Sequence, residues 1–220
     1  MKNLISLVFC FLLGASLLTG CSGNDKSYAK KSYASQDTQI SEVCIDVRDR
    51  QVEVTLSADE QIHIDYYENS KEYYDISVSE DNVLTVTAVN DKEWTDFIGG
   101  KAPEDVRVLS VQVPDTLLHT LSISTTNEDI SIEPLTLTGS ALLSANGGNI
   151  SFEGLDVGNE ITVDVKNGNV SGTISGSYDE YAISCTIKKG ESNLPPNKEG
   201  GSKKLLVTAN NGDVMIEIMK

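Results

Sequence analysis

The sequence is poor in the residues on which enzymes and metal sites depend. Among 220 residues there are two histidines, one tryptophan, four cysteines and five prolines. His63 alternates outward between Ile62 and Ile64, and neither it nor His119 neighbours a serine or cysteine in a nucleophile-elbow setting, so no Ser/His/Asp site is expected. No GxGxxG, P-loop or HExxH occurs, which leaves no sequence case for dinucleotide binding, a phosphate-cradling NTPase or a zincin. The cysteines form neither a CxxC nor a Cys/His cluster of zinc spacing. Positive charge is also scarce: 17 Lys and Arg against 33 Asp and Glu leave the chain at −16. A field of that sign repels nucleic-acid phosphates and anionic headgroups, so no nucleic-acid partner is expected. These absences predict a chain that is not an enzyme, with no catalytic residue, no cofactor and no metal.

What is present begins with a leader. Lys2 precedes an uncharged apolar run from Leu4 to about Leu18, which ends in Leu18-Thr19-Gly20-Cys21. A basic start, an apolar stretch and small residues before a cut describe a secretory signal over residues 1–20. Its end resembles the bacterial lipobox, which implies cleavage before Cys21 and a diacylglycerol on the Cys21 sulfur. An uncleaved transmembrane helix is the alternative, but the run is short for a span. The expectation is an extracytoplasmic protein whose lipid on Cys21 holds it to the bacterial cell membrane. Ser22 after the cysteine would permit outer-membrane sorting where a second membrane exists. Residues 21–39 are rich in Ser, Lys, Asp and Gln and bury too little to offset their ordering entropy, so a flexible tether is expected there.

From Ile40 the dominant period is two. Val43-Ile45-Val47, Val52-Val54-Leu56, Ile62-Ile64-Tyr66 and Tyr74-Ile76-Val78 each alternate with polar residues, and turn-formers separate them. No 3.6-residue stripe competes. Asn90 to Glu104, with Trp94, Phe97, Gly99, Gly100 and Pro103, breaks the alternation and predicts a protruding loop.

After Leu121 a second period appears. Segments beginning at Ile123, Leu143, Val163 and Ile183 lie 20 residues apart, and the last, at Val207, follows after 24. The excess falls around Pro195-Pro196 and Gly200-Gly201. Repetition at this interval marks a solenoid. Superposed turns give columns: Leu121, Ala141, Ile161, Tyr181, Leu205; beside it Ile123, Leu143, Val163, Ile183, Val207; then Thr125, Ala145, Val165, Cys185, Ala209. Across the turn stand Ile130, Ile150, Val170 and Val214. Burying each large aliphatic contributes about 1.5–3 kcal/mol. The fold class expected is therefore an all-β, single-stranded parallel β-solenoid with coils of about 20 residues. It spans 40–220, with clear repeats at 121–217. The strands of 40–113 either continue the coil or cap it.

Corners between strands need residues tolerant of positive φ, and the Asn/Gly/Asp clusters at 146–149, 167–169 and 211–213 supply them. Stacked Asn side chains there can also satisfy backbone groups. Strand phase turns Cys44 outward with Asp46 and Cys185 inward with Ile183 and Ile187, which argues against a Cys44–Cys185 disulfide and for a buried free thiol at Cys185.

The motif Leu-x-Ile-Ser-Thr-x-Asn-x-Asp-Ile at 121–130, recurring as Asn-Gly-Asn-Val at 167–170 and Asn-Gly-Asp-Val at 211–214, resembles the bacterial putative-adhesin family of β-solenoid proteins, whose members are often lipid-anchored. The resemblance runs from about residue 40 to the C-terminus. It implies a right-handed coil and a surface location.

Two groups of side chains are candidates for contact. Glu133 and Glu153, 20 residues apart, should stack on an outer edge as a solvated acidic strip. Tyr67, Tyr73, Trp94 and Phe97 lie in or near loops, where exposed aromatics favour binding surfaces. Trp94 and Phe97 are equally suited to folding back as a lid over the open end of the stack. The function expected is a noncatalytic binding or adhesion-like module for a protein or glycan. The alternatives are an envelope structural or stress-sensing component working with another membrane protein, and a carbohydrate-active β-helix enzyme, for which no basic partner recurs beside the acids.

Overall fold

The computed structural model describes residues 27–36, 39–92 and 101–219. The expected signal peptide, Cys21, Trp94 and Phe97 lie outside the described residues. In chain order the strands are β1 (Ala29–Ala34), β2 (Glu42–Asp46), β3 (Gln51–Leu56), β4 (His63–Glu68), β5 (Glu72–Val78), β6 (Val83–Asn90) and β7 (Val108–Val113). They continue with β8 (Thr120–Thr125), β9 (Ile130–Ile132), β10 (Thr136–Leu137), β11 (Ser140–Gly147), β12 (Ile150–Val157), β13 (Glu160–Asn167) and β14 (Val170–Ser175). Last come β15 (Tyr181–Lys189), β16 (Asn197–Lys198), β17 (Lys203–Asn211) and β18 (Val214–Met219).

Two nine-stranded sheets face each other across one apolar core. The first runs β1-β4-β7-β3-β9-β12-β14-β18, with β10 beside β12, and the second runs β5-β6-β2-β8-β11-β13-β17-β15-β16. A coil is one strand of each sheet joined at a corner, such as β11 with β12. The architecture is all-β and solenoid-like, but the expectation of purely parallel pairing is corrected: the sheets are mixed. β4 pairs antiparallel with β1 and β7, β5 with β6, and β15 with β16. All these pairs sit towards the ends of the stack. There an edge must be covered; β5 and β6 do so by a tight return, whereas β1, β4 and β7 meet antiparallel from segments far apart in the chain.

β1 corrects part of the tether expectation. Its six residues pair with β4 from Ala29↔Glu68 to Ala34↔His63. Composition alone made this segment a tether, because only Tyr33 of β1 is even partly buried. What holds it is backbone pairing to an exposed edge, which a polar sequence can supply as well as an apolar one.

The inward columns are continuous, but their order differs from that expected. β13 pairs with β17, not β15; Val163 lies beside Val207, and Cys185 lies beyond Val207 on the far side. The columns therefore read Leu121, Ala141, Ile161, Leu205, Ile183; then Ile123, Leu143, Val163, Val207, Cys185; then Thr125, Ala145, Val165, Ala209, Ile187. Tyr181 falls outside the first column, opposite Lys203. The column Ile130, Ile150, Val170, Val214 stands as expected. The first coil, β2–β3, shows the same insertion at the other end. It lies between β8–β9 and the later coil β6–β7. At each end of the stack the terminal coil is thus covered by another stretch of the chain: β6–β7, with β5, β4 and β1 beyond it, at one end, and β15 with residues 191–193 at the other.

Packing within a column is complementary. Phe152 is buried between Ile132 and Gly172, and a Cβ on Gly172 would lie 2.5 Å from the Phe152 ring. The corners use a second ladder. The backbone N–H of Asn149 donates to Asp129 Oδ1, that of Asn169 to Asn149 Oδ1, that of Asp213 to Asn169 Oδ1 and that of Glu191 to Asp213 Oδ1, at 2.6–3.0 Å. Each side chain thus satisfies a corner N–H of the next coil. Beside them the glycines must be glycines. Gly212 has φ +145°, and a Cβ there would lie 1.9 Å from the Gly168 carbonyl oxygen.

Candidate binding face

Inward and outward residues alternate along a strand, so the apolar columns decide what each sheet shows to solvent. On the first sheet register produces two outward rows. One carries Ser32, Asp65, Ser110, Glu53, Ser131, Ser151, Ser171 and Met215 across eight strands. The other carries His63, Gln112 and Thr55 at one end and Thr173 and Glu217 at the other. Glu133 and Glu153 lie between them, each one residue beyond the paired Ile132 and Phe152.

From β3 to β18 this face forms a shallow open groove of about 700 Å³. Glu53, Glu133, Glu153 and Glu217 line it together with Ser131, Ser151, Ser171 and Thr173, and among the described residues no Lys, Arg or His lines it. A bulge shapes its middle. β12 has one residue more than β14 between Phe152 and Leu155. Gly154 takes φ +52° and donates its N–H to Thr173 Oγ1 at 2.7 Å. The groove offers hydroxyl donors and carboxylate acceptors on paired strands. Among the described residues, no three His, Cys, Asp or Glu side chains gather to hold a metal ion.

The structure brings Glu133 and Glu153 into the groove. It does not bring Tyr67 and Tyr73 together. Tyr67 is half-buried on β4, across from Lys30 of the first sheet. Tyr73 is exposed on β5 of the second sheet, where its hydroxyl donates to Asp91 Oδ2 at 3.1 Å. That bond to a carboxylate raises the Tyr73 pKa. Among the described residues, Cys44 and Cys185 are both free. Cys44 lies in an outward row between Thr85 and Ser122, while Cys185 is buried with its sulfur 3.6 Å from Ser192 Oγ.

Sequence reasoning missed half of the groove. Glu53, Met215 and Glu217 come from coils whose spacing departs from 20 residues, so nothing marked them as neighbours of Glu133. It also missed two charge clusters at the N-terminal end. Glu72 is 7% exposed and takes Arg50 at 3.4 Å, Lys92 at 2.8 Å and the Tyr28 hydroxyl, while Arg50 Nε donates to Tyr74 at 3.0 Å. Glu128 meets Arg107 and, at 3.2 Å, Lys101. Burial raises the Tyr74 pKa against the lowering effect of Arg50.

Two titratable groups belong to the ends of the first and second sheets. A hydrogen bond from Ser32 lowers the Asp65 pKa, outweighing burial, with help from Lys30. Burial pushes the Tyr181 hydroxyl up to about 12, with Asp156 and Glu180 adding to the effect. That hydroxyl is buried and has no hydrogen-bond partner among the described residues.

The profile of a family described as Toastrack DUF4097 matches residues 40–220. A solved structure of a putative cell adhesion protein from Clostridium sporogenes ATCC 15579 is similar over 88% of this chain and 100% of that one, at 10% identity and a TM-score of 0.58. At that identity the likeness speaks for the fold alone. A putative adhesin from Bacteroides fragilis NCTC 9343 aligns over 88% of this chain and 98% of that one, at 14% identity and a TM-score of 0.45, too low to carry an argument. No curated protein matches the chain. Among the described residues, no helix is long and apolar enough to cross a membrane.

Proposed function

This chain belongs to the Toastrack DUF4097 family, and on that footing we propose that it is a noncatalytic, adhesion-like binding module of the bacterial cell surface. The lipid on Cys21 holds it to the membrane, and its ligand is received on the outer face of the first sheet. One observation carries the reading: the groove from β3 to β18, where the outward hydroxyls of Ser131, Ser151 and Ser171 recur coil after coil in one register and Glu53, Glu133, Glu153 and Glu217 stand around them. Such a surface is rigid, extended and complementary to a long ligand with donors at a regular spacing, either a glycan or an extended protein segment. Its charge favours a cationic or amino-bearing partner. The name given to the similar Clostridium sporogenes protein points the same way. The coil is right-handed in this reading, as crossovers between parallel strands nearly always are.

The test is a glycan array and a pull-down with soluble residues 22–220, compared with a Glu133→Lys/Glu153→Lys variant and with Ser144→Lys on the second sheet. The expected result is saturable binding without turnover, lost at least tenfold in the first variant and kept in the second. Turnover of a bound glycan that disappears with Glu133 or Glu153 would establish an enzyme instead. Binding indifferent to the groove variant would reject the face.

A further inference from the structure

We propose that the free edge of β4 is a strand-accepting site, filled in cis by residues 29–34 and filled in trans by the same residues of a second copy, so that two chains pair by exchanging β1. The inference stands apart from the ligand of the groove. It begins with how little holds β1 in place. Five of its six side chains are exposed, so the hydrophobic effect contributes to its docking only through Tyr33. Among the described residues its pairing is to β4 alone. Of its side-chain contacts, Lys30 reaches Asp65 at 3.2 Å and Ser32 reaches the same carboxylate, both near the surface, where such bonds contribute little. Just before it, the Tyr28 hydroxyl bonds the buried Glu72 carboxylate and is the one deeper anchor at that side. At its C-terminal side Ser35 exchanges bonds with Ile62 at 3.0 Å through both its N–H and its Oγ.

The edge beneath is different. β4 carries Ile64, fully buried, and Tyr66 packed against the core and edge-to-face with Tyr74 at 5.0 Å. It is fixed on its other side by β7. When β1 leaves, β4 stays and presents unpaired backbone donors and acceptors, the kind of edge that recruits another strand. The strand that fits is specified by the register: antiparallel, with a hydroxyl and a cation facing Asp65 and an aromatic above Ile64. Residues 29–34 meet that description in any copy of the chain. The same six pairs form in cis or in trans, so only the connection and the concentration decide between them. The connection favours release. Gln36, two residues after β1, has φ +51°, a left-handed conformation that costs a residue with a Cβ, and strained short hinges promote exchange. Lipid anchoring, as proposed above, would confine copies to one surface and raise their effective concentration.

The test uses two forms of residues 22–220 with Cys44→Ser and Cys185→Ala, one carrying Ser32→Cys and a size tag, the other Asp65→Cys. They are mixed, held for increasing times, briefly oxidised and run on a non-reducing gel. The expected result is a mixed dimer that needs both cysteines and grows with concentration and holding time. Ser32→Cys mixed with Thr208→Cys should give none. A chain carrying Ser32→Cys and Asp65→Cys together should close its own bridge and then fail to dimerise. No mixed dimer from chains whose doubly substituted form closes would overturn the proposal. So would failure of the internal bridge both there and in a second pair, Ala34→Cys with His63→Cys, which keeps Asp65 intact.

Discussion

At its N-terminal end the first sheet runs out through two antiparallel strands, β4 and β1, with buried charges beneath them. At its C-terminal end it stops at β18, whose outer edge meets residues 191–193. There one side chain does the work of a strand. Asn193 Nδ2 donates to the Ile216 carbonyl at 2.8 Å, and the Ile216 N–H donates to Asn193 Oδ1 at 2.9 Å. Beside it the Val214 N–H donates to the Glu191 carbonyl at 2.8 Å. Both ends face the same hazard, an open row of backbone groups. The difference teaches that an edge can be closed by adding backbone or by imitating it. The first way brings a long polar segment and compensating charges; the second needs one short backbone bridge, Ser192 beside Val214, and one amide.

The comparison is broken most severely at Glu72. Glu72→Ala removes the carboxylate that Arg50 meets in a buried site, and should cost about 3–5 kcal/mol in urea unfolding followed by circular dichroism. Replacing the pair together, Arg50→Met with Glu72→Leu, should cost far less. Equal losses would mean that the cluster is not a charge-pairing device.

At the other end, Asn193→Leu should cost about 1–3 kcal/mol, since it strands two backbone groups of Ile216. It should also cause concentration-dependent association in light scattering, through the reopened edge. A destabilised but strictly monomeric variant would show that the amide holds the corner and does not guard the edge.

The smallest effects separate the ends by pH. The Asp65 pKa is depressed in the folded chain, so its contribution is present above about pH 4 and fades as pH falls through the folded value. β1 should therefore loosen first in acid. The Tyr181 pKa is raised to about 12, so its contribution is complete below about pH 10 and is lost as pH rises towards the folded value. Urea midpoints against pH should lose part of the acid limb in Asp65→Asn, the rest falling to Asp49 and Asp59, whose pKa values are also lowered, and should lose the alkaline contribution of Tyr181 in Tyr181→Phe.

Much of the middle was legible in the sequence because period and coil length coincide there. Ile130, Ile150, Val170 and Val214 read off as a column, and the Asn and Asp residues of the corners read off as its ladder. The ends were not legible. An offset of 24 residues places Val207 as well beside Val163 as beside Ile183, and sequence order suggested the wrong neighbour. The signals against it were an aromatic, Tyr181, in a column of aliphatics and a Lys189-Gly190 corner without asparagine. β1 was invisible because composition reports what side chains can bury and says nothing of a backbone pairing. The groove was half legible for the same reason as the columns: Glu133 and Glu153 share a period, whereas Glu53 and Glu217 join them only through coils of other lengths.

The inserted last coil sets a condition on folding. When a chain is delivered from its N-terminus, β15 emerges while the edge of β13 is still bare, because the strand that belongs there ends at Asn211. The 20-residue spacing offers β15 a plausible but wrong seat against β13. β17 takes that seat in the folded chain, with β15 one strand outward. A chain ending before Lys203 would therefore lack the one strand that pairs with both β13 and β15.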